Sequence, residues 1–433
     1  SFWWWTNTIK DDVGLLAYAA VMAGAALEAL AFGAAGALAV LSRRRAHPAL
    51  VPLAAACAFT AMEWLRSIGI LGVPFAQLGS SQAGTPLKVL AAYAGTSGVT
   101  LAVCLLGFAF ADACLRAAWR RFAITAGVVI VATVVAWVAW PARHLLPPAI
   151  PVAMIQGNIT QSLKWQPRML GEAESRYIGM TRIAAHASPH PRLIVWPETV
   201  IPLYGLNQDP PLIARLTKLA RTSNATIVVG SIEASGANAY NALFFFTPNG
   251  LQATYDKRQL VPFAEHFPGK SFLWWLPYIG ELNGKFSEGT VDGVYPTTAG
   301  LSVAPLICWE SAFGDLAYRQ IRNGAQVLMV TTDDAWFGTT SGPYQHAQIA
   351  QMRAIEAGAY VVRAAATGIS GVIAPDGTWT SYAGLEKQTI VSGRIGPRIG
   401  SVFSHIGPNA VAALLALLYI SIVLIPWRVH NAR

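Results

Sequence analysis

Three short stretches carry residue types able to make and break an acyl bond. Val195-Trp196-Pro197-Glu198 closes one apolar run with a carboxylate, and Leu306-Ile307-Cys308-Trp309-Glu310 closes another with a thiol. Between them, Tyr255-Asp256-Lys257 presents an ammonium ahead of Leu260-Val261-Pro262-Phe263-Ala264-Glu265. A thiol at its free pKa of about 8.5 is only a few per cent thiolate at neutral pH, so it needs a positioned base or cation. A lysine aimed at a developing oxyanion supplies stabilisation worth about 3–4 kcal/mol in sites of this type. Singly, each residue reads as an ordinary surface group. Their order and their placement at predicted strand ends are what mark them.

Cys308 differs from the other cysteines. Cys57, Cys104 and Cys114 lie in long apolar runs, where a small soft side chain packs well and needs no function. Cys308 has no partner cysteine within its own domain, and the chain has no CxxC or Cys/His metal pattern. No metal and no cofactor are therefore expected. An unpaired thiol outside the cytoplasm is a liability unless its chemistry is used.

The elements that must position these residues follow from periodicity. Strands are predicted at 151–156, 192–196, 226–231, 240–247, 300–307, 327–332, 360–365 and 370–374, and helices at 168–186, 209–222, 311–323 and 344–358. Alternation of this kind implies an α/β domain with helices on the outer faces of the sheet. Pro305 fits a strand only if its backbone position donates no ladder bond. Residues 266–298 form a long connection holding Trp274 and Trp275, which reads as an apolar lid dipping into a membrane interface or as a satellite hydrophobic cluster. Residues 69–85, rich in Gly and Pro, read as a re-entrant segment facing that lid.

Charge is sparse: 12% of residues are charged, against about 25% in an ordinary soluble domain. Residues 12–41, 48–66, 86–114, 122–141 and 408–427 are nearly charge-free, each long enough to cross about 30 Å of hydrocarbon. The expected organisation is a membrane domain over 1–145, an extramembrane domain over 146–400 and a final span within 401–433. The net charge of +9 resides largely in clusters between spans: Arg43, Arg44 and Arg45, then Arg116, Arg120 and Arg121, with Arg428 and Arg433 after the last. One topology satisfies all of them, with these loops cytoplasmic and residues 142–407 on the opposite side. The positive charge thus reads as an orientation signal and not as a nucleic-acid surface. Phe2, Trp3, Trp4 and Trp5 look like an interfacial belt, unlike the basic start of a signal peptide, and further spans are expected ahead of Ser1.

The Glu–Lys–Cys order with its flanking motifs resembles the nitrilase, or carbon–nitrogen hydrolase, superfamily. Joined to membrane spans, it resembles the bacterial apolipoprotein N-acyltransferases. Further likeness lies in Gln156-Gly157-Asn158-Ile159 through Lys164-Trp165, and in Asp334-Ala335-Trp336-Phe337-Gly338 followed by Gln345-His346, Arg353 and Glu356. Glu63-Trp64-Leu65-Arg66 and Gly72-Val73-Pro74-Phe75 resemble the family's membrane part. The sequence departs from the family at Trp309, where Tyr is commoner, and at Asp333, where Asn is commoner.

The resemblance implies a multi-span helical membrane domain carrying a nitrilase-like αββα sandwich. It implies Cys308 as nucleophile, Glu198 as general base and Lys257 as oxyanion partner. Glu265 and Glu310 would be supporting carboxylates, and Trp165, Trp309 and Trp336 would shape the substrate pocket. The implied reaction takes one acyl chain from a membrane phospholipid as a thioester. It then passes that chain to the N-terminal α-amine of a diacylated apolipoprotein, at the outer face of the bacterial inner membrane. Two other readings remain: a membrane-anchored amidase that passes its acyl group to water, and a catalytically silent homologue acting in assembly or conjugation.

Overall fold

The computed structural model describes residue 6 and residues 16–69, 72–140, 147–262, 264–266 and 286–424. From residue 16 the described chain forms helices α1 (Leu16–Arg45) and α2 (Val51–Leu65), then passes two 3-10 turns (Ser80–Gln82 and Pro86–Leu90) into α3 (Ala91–Arg116) and α4 (Trp119–Ala139). The globular part then runs β1 (Ile150–Gln156), α5 (Gln161–Lys164), α6 (Pro167–Ala185), β2 (Leu193–Val195), α7 (Pro210–Ser223), β3 (Thr226–Ser235), β4 (Asn238–Thr247) and β5 (Gly250–Asp256). Its second half runs β6 (Tyr295–Pro296), β7 (Ser302–Ile307), α8 (Gly314–Arg322), β8 (Val327–Thr332), α9 (Gly342–Ala357), β9 (Tyr360–Ala365), β10 (Ser370–Ile373), β11 (Trp379–Ala383) and β12 (Thr389–Ile395). Helix α10 (Phe403–Leu424) closes the described chain.

Among the described residues, four helices are long and apolar enough to cross a membrane: α1, α3 with the turn before it, α4 and α10. The run expected as a span at 48–66 forms a helix shorter than that expectation. Helix α2 has 15 residues and reaches about 22 Å, short of the hydrocarbon thickness. It stops because Arg66 folds the following loop back: its guanidinium donates to Val73 O at 2.7 Å, Phe75 O at 3.1 Å and the Glu28 carboxylate at 2.8 Å. Glu63 holds the same loop, accepting from the Leu78 amide and the Thr100 hydroxyl, each at 2.7 Å. Ala46, Ala54 and Ile422 pack together, which puts the Arg43, Arg44 and Arg45 end of α1 beside the far end of α10. The globular domain docks at the other end.

The sandwich consists of two six-stranded sheets, ordered β12-β1-β2-β3-β4-β5 and β11-β10-β9-β8-β7-β6. Side-chain alternation builds its layers. Leu193, Val195, Leu243, Phe245, Val327 and Met329 face the other sheet, while Ile194, Phe244 and Phe246 face α6 and α7. Leu328 and Val330 face α8 and α9. The sequence reading missed β5, β6, β11 and β12, and these are the four edges of the two sheets. Edge strands are half-solvated, so they lack the continuous apolar run that marks β1, β3, β4 or β8. The predicted helix at 311–323 divides into a 3-10 turn (Cys308–Ala312) and α8. Pro305 is accommodated because its carbonyl points off the ladder and accepts from Gln320 Nε2 at 2.8 Å. Amide and carbonyl of one strand residue share a side, so the missing N–H lies where β8 does not pair.

Candidate active site

Strand β2 is three residues long because Trp196-Pro197 turns the chain out of the sheet and delivers Glu198 to its end. Gly230 on neighbouring β3 permits this approach; a Cβ there would lie 2.1 Å from Pro197 O and 2.8 Å from Glu198 Cα. Lys257 follows edge strand β5, its amide donating to Asn241 O at 2.8 Å. Cys308 follows β7 in the left-handed region, with φ +49°. Asn158 after β1 and Thr199 after Glu198 share that conformation, with φ +52° and +45°. Such backbones cost about 1–3 kcal/mol each outside glycine and persist only where neighbours impose them.

The neighbours of Cys308 do so. Glu310 folds back to accept the Ile307 amide at 2.7 Å, and Ser311 Oγ donates to Cys308 O at 2.8 Å. His346 Nε2 lies 3.1 Å from the same carbonyl, and its Nδ1 lies 2.9 Å from Asp334, which also takes Arg363 at 2.6 Å. The second oxygen of Glu310 accepts from Tyr255 Oη at 2.9 Å and the Arg258 amide at 2.7 Å. Glu310 thereby ties the turn bearing the thiol to the strand bearing the ammonium.

Glu198, Lys257 and Glu265 meet directly. Lys257 Nζ donates to Glu198 Oε1 at 3.0 Å and to Glu265 Oε1 at 2.9 Å, with only 1% of the lysine exposed. Asn241 Nδ2 bridges the same two carboxylates at 2.7 and 3.0 Å, and the Asp333 amide donates to Glu198 Oε2 at 2.9 Å. The Cys308 sulfur is buried and close enough to feel the charges of Glu198 and Lys257. A thiol, a carboxylate and an ammonium are thus buried near one another at the ends of β7, β2 and β5.

The Carbon-nitrogen hydrolase family matches residues 151–402, and the Apolipoprotein N-acyltransferase N-terminal domain matches residues 1–109. The Apolipoprotein N-acyltransferase of Methylococcus capsulatus is 34% identical over 350 residues, covering 79% of this chain and 68% of that protein. The chain belongs to the apolipoprotein N-acyltransferase family. The Photobacterium profundum member is 31% identical over 325 residues, covering 72% of this chain and 61% of that protein. The chain therefore spans about two thirds of the length of these relatives. Nit3 of Saccharomyces cerevisiae, a member of branch 10 of the nitrilase superfamily, superposes with a TM-score of 0.46 at 19% identity, covering 63% of this chain and 95% of that one.

In this family member burial sets the resting charge state. Burial drives the Cys308 thiol well above its usual range, and the Glu198 charge adds to that, while Lys257 opposes it. Burial also pushes the Glu198 carboxyl up, but Lys257, Lys164, Asn241 and the Asp333 amide together hold it below the ordinary range. Burial works against the Lys257 ammonium, yet Glu198 and Glu265 outweigh it and raise its pKa. Burial lifts Glu310 to about 7 against its several donors. These directions favour a thiol at Cys308, a carboxylate at Glu198 and an ammonium at Lys257.

The aromatic residues divide. Trp309 is 3% exposed and stacks on Phe75 of the membrane domain, centroids 5.0 Å apart and planes 12° apart. Trp165 and Trp336 are 44% and 36% exposed. Trp274 and Trp275, with most of the expected lid, lie outside the described residues. A cavity of about 540 Å³ opens beside the site, lined among others by Trp64, Thr96, Arg258, Phe313 and Phe403. It abuts the turn after Cys308 without including the thiol, so it forms a vestibule between the two domains. Sequence reasoning missed Asn241, Lys164 and Asp333 as site residues. The one available signal for Asn241 was a polar residue standing directly ahead of the apolar run Ala242-Leu243-Phe244-Phe245-Phe246.

Proposed function

We propose that the chain transfers an acyl chain from a membrane phospholipid, through a thioester on Cys308, to the N-terminal α-amine of diacylglyceryl-cysteine lipoproteins. As Cys308 sulfur attacks the ester carbonyl, its proton passes to Glu198 and the Lys257 ammonium faces the oxyanion. Collapse breaks the ester C–O bond, and Glu198 returns the proton to the departing lysophospholipid. The α-amine, with a pKa near 8, then attacks the thioester and gives its proton to Glu198. The amide forms and the thiol is released. Glu265 and Asn241 hold Lys257 and Glu198 in place, Glu310 holds the Cys308 turn, and Trp165 and Trp336 border the substrates.

The observation that carries this reading is Lys257 Nζ bridging Glu198 and Glu265 beside a buried thiol, in a domain docked on membrane helices. In this reading residues 146–400 are the catalytic unit between membrane segments 1–145 and 401–433. The arginine clusters at the opposite end of those helices support a cytoplasmic-membrane protein with its catalytic domain on the extracytoplasmic side.

Intact mass of the full chain in detergent, after exposure to phospholipid, tests the proposal. One acyl adduct is expected, absent in Cys308→Ser and discharged by a diacylated lipopeptide. Release of free fatty acid without lipopeptide acylation would instead indicate hydrolysis, and a full adduct on Cys308→Ser would remove Cys308 as nucleophile.

A further inference from the structure

Lys164 and Asp333 form a buried ion pair that none of the steps above uses. Lys164 Nζ lies 2.6 Å from Asp333 Oδ2, with the side chains 6% and 1% exposed. Both residues touch Glu198 as well. The Asp333 amide donates to Glu198 Oε2 at 2.9 Å, and Lys164 Nζ stands 3.5 Å from the Glu198 carbonyl oxygen. The other Asp333 oxygen accepts the Ala335 amide at 3.2 Å, which fixes the turn that aims the Asp333 amide.

The charges around Glu198 come from every neighbouring element. Lys257 approaches from the end of β5, Asn241 from β4, Asp333 from the end of β8, Lys164 from α5 and Cys308 from the end of β7. Glu265 reaches it only through Lys257 and Asn241. Asp333 in turn faces Lys164, Glu198 and the Tyr177 hydroxyl. Lys257 is already balanced by two carboxylates. Without a counter-ion, Lys164 would be a second positive charge on the base alone and would make the carboxylate a weaker proton acceptor.

We propose that Lys164 and Asp333 are a positioning pair for Glu198: the Asp333 amide aims the carboxylate while its side chain cancels the Lys164 charge beside it. The proposal rests on Glu198 acting as the base. Removing one member should move the base one way, and removing the other should move it the opposite way. A structural defect alone would not do this.

The experiment follows acyl-adduct formation on the full chain in detergent across pH, by quenched intact mass. Lys164→Met removes the cation paired with Asp333 beside the base and should move the acid limb up by about one pH unit. Asp333→Asn keeps the amide and the shape but frees the Lys164 charge, and should move the limb down while lowering the plateau rate. Lys164→Met combined with Asp333→Asn should return the limb to its original position, and keeps the proposal testable if either single variant folds poorly. Shifts in the same direction, or a double variant no nearer the parent than the singles, would overturn the pairing. Glu198→Gln separates the two ideas. If it leaves the acid limb in place, the base assignment fails; if it abolishes a limb that the pair variants leave unmoved, only the pairing fails.

Discussion

The carboxylate of Glu356, on a helix of the globular domain, accepts the backbone amide of Thr96 at 2.7 Å and its hydroxyl at 2.8 Å. Helix α3 breaks at Gly95, where φ is +63° and a Cβ would lie 2.4 Å from the Phe403 ring. Thr96 restarts the helix, so one domain supplies the N-terminal cap for a membrane helix of the other. Arg353 completes the contact, 3.0 Å from Glu356.

Glu356→Ala should therefore cost more than a surface change. It removes the cap and leaves Arg353 buried without its anion, an expected loss of about 3 kcal/mol. The check is the thermal unfolding midpoint in detergent against exposed Glu386→Ala. Equal midpoints would show that the cap contributes nothing to docking.

Glu198→Gln should slow acyl-adduct formation by about 10²–10³-fold, since it removes the proton acceptor. Lys257→Met should slow it comparably and also destabilise the domain. It leaves Glu198 and Glu265 buried together without their shared cation, a loss of about 3–5 kcal/mol. Adding Glu265→Gln should recover part of that stability and none of the rate. Full recovery of rate would deny Lys257 an electrostatic role.

Trp309 and Phe75 should prove energetically coupled. Each truncation to Ala opens a cavity costing about 3–5 kcal/mol, and a double-mutant cycle should leave about 1 kcal/mol for the stack itself. Strict additivity in chemical denaturation would show that the two rings only fill space.

Asp334 supplies a pH-dependent contribution. Burial pushes its carboxyl up, but Arg363 and His346 outweigh that and hold it at about 2, below its ordinary 3.8. The unfolded state thus binds the proton more readily, so the stabilisation is complete above about pH 4 and is lost as pH falls towards 2. Its size is about 2 kcal/mol. The stability difference between the parent and Asp334→Asn should shrink over that interval; a difference constant with pH would contradict the shift.

Much of this was legible without coordinates. Charge-free runs, arginine punctuation and period-two apolar strands determined a helical membrane part joined to an α/β domain, because burial on both faces forces apolar residues into recognisable periods. Glu198, Lys257, Cys308, Glu265 and Glu310 were likewise visible in local motifs at strand ends. The four edge strands were not, since half-solvated residues carry no such period. Nor was the short reach of α2, which Arg66 decides by bonding to carbonyls seven and nine residues later. Tertiary structure alone decided which charges share a pocket: Asn241 between two carboxylates, Lys164 against Asp333 and Glu356 over Thr96 join residues from 24 to 260 positions apart. Such pairings depend on how sheets and helices stack. A sequence records each partner's type, while the low dielectric that makes the pairing matter exists only once the chain has folded around it.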